Sequence, residues 1–318
     1  MKQWATLVAL STLATPAVAG DFILQFPLEC ALGDSCFIQQ YVDHDRGPAA
    51  LDFTCGPLSY DGHKGTDFGL PSFQAMRKGV TVIAAASGVV RGLRDGVPDV
   101  GIRAQTDGQE CGNGIVLDHG DGWITQYCHL KRGSIKVTQG QHVSAGEAMG
   151  QVGFSGRTQF PHLHLSVRHK GQVIDPFDPD GQITCGTADP ETLWQMALPY
   201  TPGSLISTGF SSKIPAYDQI KDGRAGQTSL PGKTDALVLW AYAFGSRAGD
   251  VLRLQIDGPN GVFLTKEIQL DKPQAQFFRA AGKRRPPEGF APGRYTGLIQ
   301  LIRNGAIIDS QTTRTQLR

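Results

Sequence analysis

Short apolar runs separated by glycine-rich turns are the feature that most constrains how this chain can fold. The 318 residues include 40 Gly and 19 Pro, which interrupt helices and mark turns. Apolar runs that recur at short spacing between such turns are typical of antiparallel β-sheets. We therefore expect an all-β, mainly antiparallel chain. No apolar run approaches the roughly 20 residues of a membrane-spanning helix, so no transmembrane segment is expected.

The charge is divided unevenly along the chain. The formal net charge is +1, with 40% hydrophobic and 19% charged residues, a composition that argues against disorder and coiled coil. Residues 200–318 carry 16 Lys and Arg against 9 Asp and Glu, whereas residues 1–199 carry 14 against 20. Every His lies between His44 and His169, and every Cys lies between Cys30 and Cys185. Two domains with different roles are the simplest explanation.

The first residues have the pattern of a secretory signal. Lys2 supplies a positive start, Trp4 to Leu13 is a short apolar core, and the small residues before Gly20 form a cleavage site near Ala19-Gly20. The alternative is an N-terminal core strand or helix. With export, the protein would be periplasmic or secreted.

These patterns divide the chain into four predicted segments. Residues 1–19 are the signal peptide, and residues 20–199 are a β domain with a Cys-bearing N-terminal extension, closed by a short helix over Glu191 to Ala197. Residues 200–234 are rich in Pro, Gly, Ser and Thr and are predicted to be a linker. Residues 235–318 contain short strands typical of a small immunoglobulin-like β-sandwich.

The six cysteines favour disulfides in an exported protein. The runs Gly112 to His119 and Trp123 to Leu130 flank a Gly-Asp-Gly turn, and this hairpin would bring Cys111 beside Cys128. A Cys111–Cys128 disulfide is therefore predicted. The alternative, a structural zinc site of cysteines, lacks any Cys-x-x-Cys spacing. A second tight hairpin is predicted around Ser87-Gly88.

Two histidines two residues apart form the first candidate for chemistry. On a β-strand, residues i and i+2 point to the same face. His162 and His164 would thus present adjacent imidazoles, while Leu163 and Leu165 face the core. Two exposed histidines on a solvated strand are the alternative interpretation.

A second stretch adds a carboxylate, and a third adds one more imidazole. His63 and Asp67 stand four residues apart amid glycines, a spacing that would also suit a loop salt bridge, and His129 ends an apolar strand, where a core role is common. Taken together, two histidines and one aspartate would leave the fourth position of a zinc ion open, as in catalytic sites. The two remaining histidines could act as acid and base. His119 is interpreted as structural, and three histidines have no motif context: His44, His142 and His169.

These stretches together resemble the M23 zinc metallopeptidases, also called LytM or lysostaphin-type peptidases. The resemblance covers roughly His63 to Pro176. It rests on six segments: His63-Lys64-Gly65-Thr66-Asp67, Val82 to Val90, Gly112 to Gly120, Tyr127-Cys128-His129-Leu130, Val143 to Gly153, and Pro161-His162-Leu163-His164.

The resemblance implies a LytM-like β-sheet catalytic domain followed by the sandwich. It implies Zn²⁺ bound by His63, Asp67 and His164, with His129 and His162 as the catalytic pair. The implied activity is hydrolysis of peptide bonds in peptidoglycan stems or cross-bridges. The alternative is a non-catalytic LytM-type protein that binds the cell wall or activates an amidase, but such proteins generally lack a ligand, and none is missing here.

Three departures from the family pattern border the groove that is expected over His63, Asp67 and His164. Pro71 to Gly79 is a longer link than usual, Arg94 to Glu110 is a polar insertion, and Ser166 replaces a frequent acidic residue. The basic last third could contact anionic wall polymer or a membrane surface, although a solvated basic surface is the simpler interpretation. No nucleic-acid motif is present.

Overall fold

The chain folds almost entirely into β-strands, mainly antiparallel, which confirms the predicted class. The computed structural model describes residues 22–104, 108–183, 185–186 and 191–318, so the predicted signal peptide lies outside the described residues. Only short helices occur in this described part: α1 (Phe73–Lys78), α2 (Tyr217–Asp222) and a 3-10 turn (Gly101–Ala104). None of the described helices has the length and apolar character needed to cross a membrane.

The first sheet has eight strands. In spatial order it runs β1-β2-β9-β6-β5-β4-β7, with β10 paired to β9. A separate two-stranded sheet pairs β3 with β8. The bounds are β1 Phe37–Gln40, β2 Thr66–Gly69, β3 Thr81–Ile83, β4 Gly88–Arg94, β5 Asn113–Asp118, β6 Trp123–Leu130, β7 His142–Val143, β8 Ala148–Gln151, β9 His162–His169 and β10 Gln172–Ile174.

The alternating pattern of β9 explains its central place in this sheet. Leu163 and Leu165 are fully buried and Val167 nearly so, because every second residue points into the core. The core beneath the sheet also receives Phe68 of β2 and Tyr127 of β6. The opposite face of β9 is left for polar side chains.

The predicted hairpin and disulfide are both confirmed. β5 pairs antiparallel with β6, and Cys111 is bonded to Cys128. The other two pairs are Cys30–Cys36 and Cys55–Cys185.

The predicted hairpin around Ser87-Gly88 is wrong. β3 pairs with β8 and β4 pairs with β5 and β7. The chain between them hydrogen-bonds to a distant turn instead: the Ala84 amide donates to the Glu147 carbonyl, and Ala84 accepts from Gly146. A local turn signal was thus overridden by long-range pairing.

Two further sheets face each other as a β-sandwich. One has the order β11-β13-β16 and the other β12-β18-β17-β14-β15. Leu239, Leu254 and Ile299 are among the fully buried side chains between them. The bounds are β11 Ser204–Ser211, β12 Ser229–Leu230, β13 Ala236–Ser246, β14 Val251–Gly258, β15 Gly261–Gln269, β16 Gln274–Arg284, β17 Gly293–Arg303 and β18 Ala306–Leu317.

The predicted linker, residues 200–234, contains regular structure. This stretch contains β11, α2 and β12, and β11 pairs along its length with β13. Gly209, one of the glycines of this stretch, lies against the Trp240 ring, where an added Cβ would come within 2.6 Å. The glycine provides room for an aromatic ring and does not interrupt the strand. The exact domain boundaries remain a prediction.

The short helix predicted over Glu191 to Ala197 does not form. The Leu24 amide donates to the Leu193 carbonyl, and the Gln195 amide donates to the Leu24 carbonyl. Backbone groups that a helix would pair internally are therefore bonded to the N-terminal segment.

Candidate metal centre

Two neighbouring strands place an aspartate and two histidines on one face. In the antiparallel β2–β9 pair, Asp67 stands opposite His164 and Gly69 opposite His162. Directly opposed residues share a face of the sheet. His63 precedes β2 and completes the group from the adjoining loop.

The donor atoms of His63, Asp67 and His164 converge on a small volume. Asp67 Oδ1 lies 3.1 Å from His63 Nε2 and 2.9 Å from His164 Nδ1, and the two nitrogens are 3.1 Å apart. Two ligands at zinc bond lengths in a tetrahedron stand about 3.3 Å apart. The spacing therefore suits one small metal ion. Among the described residues, this trio is the group with metal-binding geometry.

Hydrogen bonding orients the His63 ring for binding. His63 Nδ1 donates to the Tyr41 carbonyl at 2.7 Å, which leaves the lone pair of Nε2 facing Asp67. The surroundings of Asp67 favour its ionised carboxylate. Burial alone would raise the pKa of Asp67, but the charges that His63 and His162 carry when protonated, with hydrogen bonds from His162 and His164, hold it well below its usual value.

The group of His63, Asp67 and His164, called the cluster from here on, is accessible from one side. The His63 side chain is fully buried and that of Asp67 is 3% exposed, whereas the His164 side chain is 16% exposed. The ring of Tyr60 stacks on His63 with centroids 4.3 Å apart and is itself half exposed. Solvent and ligands therefore approach past His164 and Tyr60.

A break in the β5–β6 ladder aims His129 at the cluster. Cys128 still pairs with His164, but His129 has a φ of 62°, a left-handed conformation that is unusual for a residue with a side chain. Its amide donates to the Cys111 carbonyl at 2.8 Å, and the disulfide fixes the preceding residue. Strained conformations of this kind concentrate at functional sites.

The His129 ring is fixed in one tautomer. Its Nδ1 donates to the Ser155 carbonyl at 2.8 Å, so Nε2 carries the lone pair. Burial lowers the pKa of His129, and the neighbouring His162 and His164 lower it further, to well below its usual value. This imidazole is therefore neutral at neutral pH. Its centroid lies 4.6 Å from that of His162.

His162 is oriented in the same manner. Its Nδ1 donates to the Phe160 carbonyl at 3.0 Å and lies 3.1 Å from the Thr158 hydroxyl, which itself donates to Phe160. The Nε2 atom points to the cluster, 3.5 Å from Asp67 Oδ1. All five residues singled out from the sequence thus lie together.

The sequence analysis missed the groups that orient these rings. Tyr41 and Ser155 act through backbone carbonyls, which carry no side-chain signal. Tyr60 belongs to no periodic pattern. Thr158 lies three residues before Pro161, between two of the segments that carry the resemblance.

His119 lies outside the cluster. Its Nδ1 donates to the Ser87 carbonyl at 2.7 Å, and its Nε2 lies 2.8 Å from the Thr125 hydroxyl. These bonds agree with a structural role. The three histidines without motif context, His44, His142 and His169, are likewise absent from the metal-binding group.

The family model described as peptidase family M23 matches residues 61–176, a range that includes all five clustered residues. Residues 61–176 belong to peptidase family M23. This M23 domain comprises β2 to β10, which include seven strands of the first sheet and the separate β3–β8 pair.

Curated relatives match the M23 domain over a limited length. Peptidoglycan DD-endopeptidase ShyA of Vibrio cholerae is 33% identical over 113 residues, which are 36% of this chain and 22% of that protein. DD-carboxypeptidase/endopeptidase Mpg of Neisseria meningitidis is 33% identical over 116 residues, with the same coverage. Cell division protein DipM of Caulobacter vibrioides is 32% identical over 105 residues, 32% of this chain and 15% of that protein. The chain thus spans less than a quarter of these relatives.

Solved structures also match. A zinc-containing peptidase from Vibrio cholerae aligns with a TM-score of 0.29 and 26% identity, covering 45% of this chain and 39% of that one. The catalytic domain of the M23 protein EnpA from Enterococcus faecalis aligns with a TM-score of 0.34 and 22% identity, covering 53% and 100%.

Proposed function

We propose that the protein is an exported zinc metalloendopeptidase that hydrolyses peptide bonds in peptidoglycan stems or cross-bridges. The observation that carries this proposal is the convergence of two imidazoles and one carboxylate, with two further histidines aimed at the same point. The names of the relatives ShyA and Mpg support the substrate class.

The residues divide into a binding set and a reacting pair. His63 Nε2, Asp67 Oδ1 and His164 Nδ1 would hold the ion, and three protein ligands leave a position open, as catalytic zinc sites require. Zinc, when bound, supplies Lewis acidity that makes water a nucleophile near neutral pH and polarises a carbonyl.

His129 and His162 would move the protons of the reaction. The Nδ1 atoms of both rings donate to fixed oxygens, so each Nε2 is available at the cluster. In hydrolysis, oxygen from water bonds to the peptide carbonyl carbon, and the C–N bond breaks. One Nε2 accepts a proton from water and delivers it to the leaving amine. The other ring, when it is protonated on both nitrogens, donates a hydrogen bond from Nε2 to the oxygen that becomes negative.

Three disulfides support a location outside the cytoplasm. Disulfides persist in oxidising compartments, and all six cysteines are paired. We propose a periplasmic or secreted location, reached after cleavage near Ala19-Gly20.

The direct test is incubation of the purified, zinc-loaded protein with peptidoglycan sacculi. We expect soluble fragments, identified by mass spectrometry, whose new termini show which peptide bond was cut. A chelator should abolish their release, and added zinc should restore it. A zinc-loaded protein that releases no fragment would contradict the proposal and favour a non-catalytic binding role.

Substitutions test the division of roles. His164→Ala should lose both zinc and activity, because it removes a ligand. His129→Ala should lose activity by about 10²-fold or more and retain most of its zinc. Metal content measured by mass spectrometry separates these outcomes, with His142→Ala as an exposed control. An empty site in His129→Ala would contradict the assignment.

A further inference from the structure

Arg157 stands on the loop that orients both proposed catalytic histidines. Two residues before it, the Ser155 carbonyl accepts from His129, and directly after it, the Thr158 hydroxyl contacts His162. The Arg157 amide donates to the Glu110 carbonyl at 2.8 Å, at the end of the polar insertion. The backbone of Arg157 is therefore fixed beside the cluster.

The Arg157 side chain is exposed and close to the entrance of the site. Its neighbours on this loop, Ser155 and Thr158, contact the rings of His129 and His162. The side chain of Arg157 is therefore exposed beside the proposed catalytic pair.

Hydrogen bonds from the amides of Glu110 and Gly108 lower the pKa of Glu110, and the charge of Arg157 lowers it further, although the two side chains form no ion pair. Glu110 accepts from the Gly108 amide at 3.1 Å, and Asp99 accepts from the amides of Phe154 and Arg132 at 2.9 and 3.0 Å. Within the described part of the chain, the Arg157 guanidinium has no ion pair within 4.0 Å, although ten other pairs meet that limit. Its planar, two-pronged donor set suits a carboxylate.

We propose that Arg157 is a specificity-determining residue that binds a carboxylate of the substrate at the entrance of the metal centre. This inference rests on the proposed function. It assigns to the proposed peptidase a preference for peptides that carry a carboxylate. The carboxylate can be the free C-terminus of a stem peptide or a side-chain carboxyl group. The apolar Ile102, which is exposed and donates its amide to the Thr158 carbonyl, borders the same position.

The test measures binding separately from turnover. Three synthetic stem peptides ending in two D-alanines are titrated into zinc-loaded His129→Ala protein: the free acid, its C-terminal amide, and a form with its side-chain carboxyl amidated. We expect Arg157→Gln to weaken binding of the free acid about tenfold. The peptide that lacks the recognised carboxylate should bind both proteins equally and thereby identify which carboxylate is bound.

Two further variants sharpen the result. Arg157→Lys should restore only part of the affinity, because Lys keeps the charge but loses the paired donors. Arg91→Gln removes an exposed charge from β4 and should change nothing. An equal loss for all three peptides, or no loss, would overturn the proposal.

Turnover of the same peptides is then measured with proteins that retain His129, both with Arg157 and with Arg157→Gln. Cleavage without any dependence on Arg157 would refute this inference and leave the proposed function intact. Binding that depends on Arg157 without cleavage would refute the proposed function alone.

Discussion

The ring of His164 lies directly over a residue without a side chain. A Cβ added to Gly65 would come within 2.7 Å of His164 Nε2 and 2.5 Å of the Leu165 carbonyl oxygen. Carbon atoms do not approach so closely without displacement of their neighbours. We therefore expect Gly65→Ala to shift His164 and to lower zinc affinity about 10–100-fold, the range for disturbed support of a metal ligand.

Competition with a chromophoric chelator would measure this loss. Gly92→Ala is the matched control, since a Cβ there would meet nothing within 4 Å. Unchanged zinc affinity in a folded Gly65→Ala protein would show that the His164 ring has room to move.

The residues of the site differ in how far the sequence can predict them. His63, Asp67, His162 and His164 stand in short motifs. Strand alternation places His162 and His164 on one face, and the family resemblance joins them to His63 and Asp67. His129 is different, because its orientation depends on a left-handed backbone and on an amide bond to Cys111. Such a local break in a ladder is set by tertiary contacts, which no spacing in the sequence reports.

At the scale of elements, carboxylates organise the loop that ends at His63. Asp43 accepts from the amides of Leu51 and Gly62, and its own amide donates to the His63 carbonyl. Buried Asp52 accepts five hydrogen bonds, from Thr54 (two), Gly56, Leu58 and Tyr200. This long connection is therefore ordered by polar contacts, and the position of a proposed ligand depends on them.

A histidine between two carboxylates makes this loop sensitive to pH. His44 Nε2 lies 2.9 Å from Asp175, and Nδ1 lies 3.5 Å from Asp178. Burial lowers the pKa of His44, but the hydrogen bond and charge of Asp175, followed by the charge of Asp178, outweigh it and raise the pKa above 6.5. Burial raises the pKa of Asp178 to about 6.

Both shifts predict that stability falls as pH rises. A raised His pKa gives a contribution that is complete below 6.5 and is lost as pH rises through the folded value. Ionisation of Asp178 between its usual 3.8 and about 6 acts in the same direction. His44→Gln should therefore lower the free energy of unfolding by about 1–3 kcal/mol in mildly acidic buffer and by less in alkaline buffer.

Urea unfolding over a pH series would measure this difference. His142→Gln, at an exposed histidine, should give a difference close to zero throughout. A loss of stability in His44→Gln that grows with pH would contradict the proposed ionisation of His44 and Asp178.

The sequence predicts most of the strands but not how all of them pair. A strand with clear alternation, such as β9, is predicted from its pattern. β16 was not, because Ala, Gly and Gln weaken its alternation. The pairing of β3 with β8 and the strand β11 in the expected linker depend on partners far away in the chain. Local turn and composition signals cannot report such partners.

At the scale of the molecule, the basic last third packs against the edge of the first sheet. Phe37 of β1 stacks on Phe244 of β13 with centroids 4.9 Å apart, and Gln276 bonds to Gln39. Phe37 also covers Gly69, which stands opposite His162. The uneven charge therefore coincides with a division into two β-rich parts. These parts are nevertheless in contact at β1, one strand away from the proposed site.

Phe244 belongs to the core of the first sheet although it lies on a strand of the sandwich. Removing its ring should uncouple the two parts. We expect Phe244→Ala to cost about 3–5 kcal/mol and to divide one calorimetric unfolding transition into two. Phe290→Ala, within the sandwich core, should lower stability without dividing the transition, because the contact to β1 is intact. One undivided transition in Phe244→Ala would show that other contacts, such as Arg77 with Asp222, are enough to couple the two parts.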